Sequence, residues 1–264
     1  MPATEPIPTR ILQHMVPRMQ RTHDRRRASF FVGPPGIGKS TAIAAFKAAN
    51  PGNVMVTRIT KRGVTGPQAL QSMLLALRER QGTTTRYVTN ATSEVQRYIA
   101  IEIEKAGNGL RRDQDEALFP KLTIVFDEAQ RLTNGAIDAL RDWNEPHYFC
   151  AGTFPIGMIF VGNNELSLEA GRGGTSILDE GMQDRLLYRE RLTYEHVDRQ
   201  DIEAFSRSHG INDEGAVRAI GAAFASAKSQ RSFRRLADFL VTVVDEADGG
   251  PITRETVRSA MELL

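Results

Sequence analysis

The chain has 264 residues, 41% of them hydrophobic and 25% charged, the balance of an ordinary globular protein with enough apolar residues for a sizeable core. A formal charge of +2 is too small to mark a nucleic-acid binder by itself. The lone Cys150 excludes an intramolecular disulfide and points to a reducing, cytoplasmic setting, and no apolar run has transmembrane length or the form of a signal-peptide core.

Residues 10–23 carry Ile11, Leu12, Met15, Val16 and Met19 at helical spacing, which predicts an amphipathic helix. Around it Arg10, Arg18, Arg21, Arg25, Arg26 and Arg27 outnumber Glu5 and Asp24, a local excess that suits either a solvated leader or a phosphate backbone. The apolar run 29–32 then reads as a buried strand, and 41–46 as a helix. Between them lies Gly33-Pro34-Pro35-Gly36-Ile37-Gly38-Lys39-Ser40-Thr41, which fits the phosphate-loop pattern G-x-x-x-x-G-K-[ST]. Glycines let such a loop curl so that its N–H groups face a triphosphate at the positive end of the following helix. Lys39 would then reach the β- and γ-phosphates, and the Ser40 hydroxyl would hold Mg²⁺.

After the turn at 50–53, the β-branched run 54–60 predicts a second strand, closed by Lys61-Arg62-Gly63. Helices are expected over 67–80 and 92–106, with a polar surface loop over 107–118. Residues 122–126 form a third strand that ends in Asp127-Glu128. A carboxylate at a strand end suits Mg²⁺, and Glu128 beside it suits a base that orients and deprotonates the attacking water. With the glycine loop, this pair predicts an ATP–Mg²⁺ site.

A helix over 133–145 leads to a fourth strand, 157–162, which ends in Asn163-Asn164. Either amide could reach the γ-phosphate or the water, though adjacent amides also make turns. The glycine-rich run 171–176 and a segment containing Arg185, Arg189 and Arg191 follow. From about 195 only helices remain, over 195–208, 213–226, 232–247 and 253–263. The five scattered histidines lack ligand spacing, which gives no case for zinc, and no internal repeat stands out.

The expected fold class is therefore α/β, a phosphate-loop core whose parallel sheet is flanked by helices, followed by a small all-helical lid domain. The expected boundaries are a basic helical segment at 1–27, the core at 28–192 and the lid at 193–264.

Taken in order, GPPGIGKST, IVFDEAQ, FVGNNEL, an arginine-rich segment and a helical tail make the chain resemble an AAA+ ATPase. The short IVFDEAQRL and FVGNNEL segments and the compact lid are most similar to transposition regulators of the MuB/TnsC/TniB group. That resemblance implies an ATPase that binds double-stranded DNA without reading sequence, self-associates into a ring or helical filament, and directs a transposase. It also implies that Arg185 is an arginine finger acting on a neighbour's ATP, ahead of Arg189 and Arg191. Arg234 or Arg235 would be the lid arginine that senses nucleotide, with spacing unable to choose between them. One departure is that MuB-type regulators can carry a separate N-terminal helix-turn-helix domain, whereas only about 28 residues precede the core here, which would put DNA binding within the core or on a partner.

DNA contacts would then fall on strand-exit loops, where Lys61 and Arg62 are the first candidates and Arg86, Arg111 and Arg112 lie in later connections. Two other readings share the ATP site: a helicase loader or initiator, and a nucleotide-gated scaffold that barely hydrolyses ATP.

Overall fold

In the computed structural model, which describes residues 7–80, 82, 91–107, 119–144, 154–163, 186–226 and 231–263, the apolar run ahead of the glycine loop is a strand buried at every residue. In chain order the elements are α1 (Arg10–Asp24), β1 (Ala28–Val32), α2 (Lys39–Ala49), β2 (Val54–Arg58), α3 (Gly66–Arg80), α4 (Thr92–Ala106) and β3 (Thr123–Asp127). They continue with α5 (Asn134–Arg141), β4 (Gly157–Gly162), β5 (Leu186–Arg191), α6 (Arg199–Ser208), α7 (Glu214–Ser226), α8 (Phe233–Glu246) and α9 (Arg254–Glu262). The polar loop expected over 107–118, the glycine-rich run 171–176 and Cys150 lie almost wholly outside the described residues.

The strands form one parallel sheet in the order β2-β3-β4-β1-β5. Parallel strands need crossovers, and helices supply them, so β1 and β4 are buried at every residue rather than on alternate ones. One face carries an aromatic ladder set by the register. Phe30 pairs with Phe160, Phe160 pairs with Phe126, and the rings stack at centroid distances of 4.5 and 5.1 Å. Burying each ring contributes roughly 1.5–3 kcal/mol. Ala69, Leu70, Met73, Leu74 and Leu77 of α3 close over the same core as Val95, Ile99 and Ile103 of α4.

The sequence predicts four strands, and the structure has a fifth among the described residues. The sequence marks Leu186–Arg191 only as part of an arginine-rich segment. It is an edge strand that pairs with β1 alone, with a register shift between Ala28 and Ser29. Its polar side chains are met by α1: Arg18 Nε lies 3.0 Å from Glu190 Oε1, and the Arg18 guanidinium sits 5.9 Å from the centre of the Tyr188 ring.

The chain divides into two compact units. One comprises Val16–Val32 and Ile43–Arg191 and contains the whole sheet with α3, α4 and α5. In it, His23 is buried, with Nδ1 2.9 Å from Thr123 Oγ1 and its ring edge-on to Phe46. Burial pushes the His23 imidazole below its ordinary value; Asp24 opposes that, while Lys121 and Arg26 add to it.

The other unit comprises Met1–Met15, Gly33–Ala42 and Leu192–Leu264, and so groups the glycine loop with α6 to α9. A capping box joins Asp198 and Asp201 at the start of α6. Arg10 holds both, its Nε 2.9 Å from Asp198 and its backbone N–H donating to Asp201 at 2.9 Å. Burial raises the Asp201 carboxyl above its usual range, against those N–H bonds. Among the described residues no helix is long and apolar enough to cross a membrane.

Candidate functional site

The loop between β1 and α2 is built on conformations that side chains resist. Gly36 and Gly38 have φ of 78° and 102°, in the left-handed region. A Cβ on Gly36 would lie 2.1 Å from Ser232 Oγ, and one on Gly38 2.8 Å from Ile11 Cγ2. Ile37 between them is fully buried and pins the loop, while Ser40 and Thr41 stay exposed in the first turn of α2. Lys39 Nζ donates to the carbonyls of Gly33 and Pro34, each at 2.7 Å, which keeps the ammonium at the loop. A helix start with unpaired N–H groups, glycines that permit close backbone approach and a cation at the rim are what a phosphate chain requires.

The start of α8 meets this loop directly. Phe233 N–H donates to the Gly36 carbonyl at 2.8 Å, which gives one orphan donor of the helix a partner. That bond orients the next residue. Arg234 Cβ lies 3.4 Å from the position a Cβ on Gly36 would take, whereas Arg235 is not among the atoms nearest that glycine. Both guanidinium-bearing residues are exposed.

The acidic pair is built on the sheet. Asp127 is the last residue of β3, and Glu128 follows with φ of 62°, a left-handed conformation that costs a non-glycine residue about 1–2 kcal/mol. The turn lets Glu128 N–H donate to Asp127 Oδ1 at 3.0 Å and starts a short 3₁₀ segment, Ala129–Arg131. Gln130 Nε2 donates to Glu128 Oε2 at 2.6 Å, and the Asn163 backbone N–H donates to Gln130 Oε1 at 3.2 Å. Arg58 lies farther off, 3.9 Å from Asp127 Oδ2 and 3.7 Å from Glu128 Oε1. Arg131 stands 3.9 Å from Glu128 and donates to the carbonyls of Ile59 and Thr60 at 3.1 and 2.6 Å. These oxygens suit a hard cation such as Mg²⁺.

The sheet order gives these motifs a common edge. β1 and β3 run parallel on either side of β4, and Val32 and Asp127 pair with its last two residues, Gly162 and Val161. β1, whose next residue is Gly33, and β3 therefore end at the same carboxyl edge of the sheet, the edge where open α/β sheets bind ligands.

Sequence comparison places the AAA domain on residues 21–168, more than half of the chain. The chain belongs to the AAA domain family. Among solved structures, this AAA chain is similar to Aeropyrum pernix ORC2 in ADPNP–ADP complexes: 14% identity, TM-score 0.66, over 99% of this chain and 70% of that one. Cdc6p from Pyrobaculum aerophilum gives 14% identity and a TM-score of 0.65 over 100% and 69% of the two chains. Drosophila ORC bound to DNA gives 15% and 0.53 over 98% and 62%. At such identities the likeness concerns the fold. No curated protein matches the chain in sequence.

Of the remaining sequence candidates, Lys61 and Arg62 are exposed in the turn after β2, and Arg189 and Arg191 are exposed on β5. Asn164, Arg185, Arg86, Arg111 and Arg112 lie outside the described residues. Arg58, Gln130 and Arg131 meet the acidic pair without any sequence motif that marks them. Gln130 stood inside the DEAQ string, where its closeness to Glu128 was the available signal.

Proposed function

We propose that the chain is an ATP-switched, DNA-associated ATPase whose assembly on double-stranded DNA is made by ATP and undone by hydrolysis. The observation that carries this is the shared carboxyl edge at which β1, whose next residue is Gly33, and β3, whose last residue is Asp127, both end. Gly33, Pro34, Pro35, Gly36, Ile37, Gly38 and Thr41 form the phosphate cradle, with Lys39 supplying charge. Ser40 and Asp127 would hold Mg²⁺ through oxygen, and the ion would supply positive charge against the phosphates. Glu128 takes a proton from the attacking water, while Asn163 or Asn164 positions that water or the γ-phosphate. Arg185 serves as a finger on a neighbouring subunit's nucleotide. Arg234, beside Gly36, is the lid arginine in preference to Arg235.

On this reading the chain is a transposition regulator that brings a transposase to DNA, as the IVFDEAQ and FVGNNEL segments suggest. The likeness in fold to Aeropyrum pernix ORC2 and Pyrobaculum aerophilum Cdc6p favours a second reading, an initiator or helicase loader. A stable complex with a transposase supports the first, and one with a replicative helicase the second.

The test is anisotropy on random-sequence duplex DNA with ATP, with ADP and without nucleotide. Cooperative, salt-sensitive binding with ATP alone is expected. Glu128→Gln should keep nucleotide binding and hold the assembly on DNA. Disassembly of that variant at the wild-type rate would refute the hydrolysis-driven release.

A further inference from the structure

Glu128 must present its carboxylate in one direction to act as a base, yet its surroundings are mostly loose. The guanidiniums of Arg58 and Arg131 stand 3.7 and 3.9 Å away, beyond hydrogen-bond length. Among the described residues the one side-chain hydrogen bond to this carboxylate is that from Gln130, at 2.6 Å. Gln130 is itself fixed at its other end, because its Oε1 accepts the Asn163 N–H at 3.2 Å.

The chemistry of the two ends decides which way the amide points. A carboxylate only accepts and a backbone N–H only donates, so Nε2 must face Glu128 and Oε1 must face Asn163. A carboxamide offers both functions in one rigid plane. Glutamate in its place has no donor when ionised, and leucine has neither function.

We infer that Gln130 is a positioning residue that ties Glu128, after β3, to the end of β4 at Asn163 and holds the carboxylate in its working direction. The inference rests on the proposed role of Glu128 as the base. Gln130 acts through Glu128, the group it holds by hydrogen bond. The left-handed backbone at Glu128 fits this arrangement: the strained φ of 62° turns the chain into the short 3₁₀ segment that carries Gln130. Fixing a group to the right direction matters steeply, since about 1 Å of misplacement can cost about 100-fold in rate.

The experiment compares ATP turnover and fluorescent-ATP affinity, with Mg²⁺ and duplex DNA, for the full chain carrying Gln130→Leu, Gln130→Glu or Glu128→Gln. Turnover of both Gln130 variants should fall about 10–100-fold. Their nucleotide affinity and melting temperature should stay near wild type. A general loosening of the fold would move all three together. If Gln130→Leu does not fold, Gln130→Glu, nearly the same size, carries the comparison. Wild-type turnover in either folded Gln130 variant, with Glu128→Gln inactive, overturns the inference alone. Full turnover in Glu128→Gln overturns the base assignment and this inference with it.

Discussion

Gly36→Ala probes how the phosphate loop is held. Two costs are separable. Placing alanine at φ of 78° costs about 1–2 kcal/mol, because a Cβ clashes with its own backbone in the left-handed region. The new methyl would also sit 2.1 Å from Ser232 Oγ and 3.3 Å from Ser232 Cβ. Overpacking of this kind adds about 1–3 kcal/mol. The total, about 2–5 kcal/mol, corresponds to a melting-point loss on the order of 10 °C for a chain of this size. Ser232→Ala removes the closest atom but leaves the backbone strain. The double variant should therefore recover about 1–3 kcal/mol and stay about 1–2 kcal/mol below Ser232→Ala alone. Urea denaturation followed by circular dichroism measures each step. Wild-type stability in Gly36→Ala, or a double variant no better than the single, would refute the contact between loop and helix start as the source of the cost.

The charged groups give further tests. Lys39→Ala removes a charge-assisted contact worth about 1.5–3 kcal/mol, so nucleotide binding by calorimetry should weaken about 10–150-fold, and unchanged affinity would exclude Lys39 from the phosphates. Lys61→Ala and Arg62→Ala should weaken DNA binding equally on all sequences and each reduce the salt slope by about 1, whereas an unchanged slope places DNA elsewhere. His23 titrates below its ordinary value of 6.5 in the folded chain, so the unfolded chain binds more protons below that pH. Stability should then fall as pH drops through the window between 6.5 and the lowered folded value, and His23→Gln should flatten that fall. An equal urea-midpoint drop in both proteins between pH 7.5 and about 5.5 would remove His23 as the cause.

What could be read from the sequence was what neighbours in the chain decide. The glycine loop, the Asp127-Glu128 pair and the apolar strands around them follow from turn chemistry and hydrophobic pattern over a few residues, and the parallel sheet formed as expected. β5 escaped because its fitness as a strand lies in its partners: Arg18 answers Glu190 and Tyr188, and no local pattern announces that pairing. The same limit applies to Arg234 and Arg235. Helical spacing treats them alike, and that Arg234 Cβ lies beside Gly36 is set by how the start of α8 meets the loop. Glu128 presents a different case, since its left-handed φ runs against every local preference of a glutamate. Such violations persist where surrounding contacts over-determine them, and here those contacts are Gln130 and the end of β4. The residue whose conformation propensity would never assign is therefore the residue on which the proposed chemistry turns.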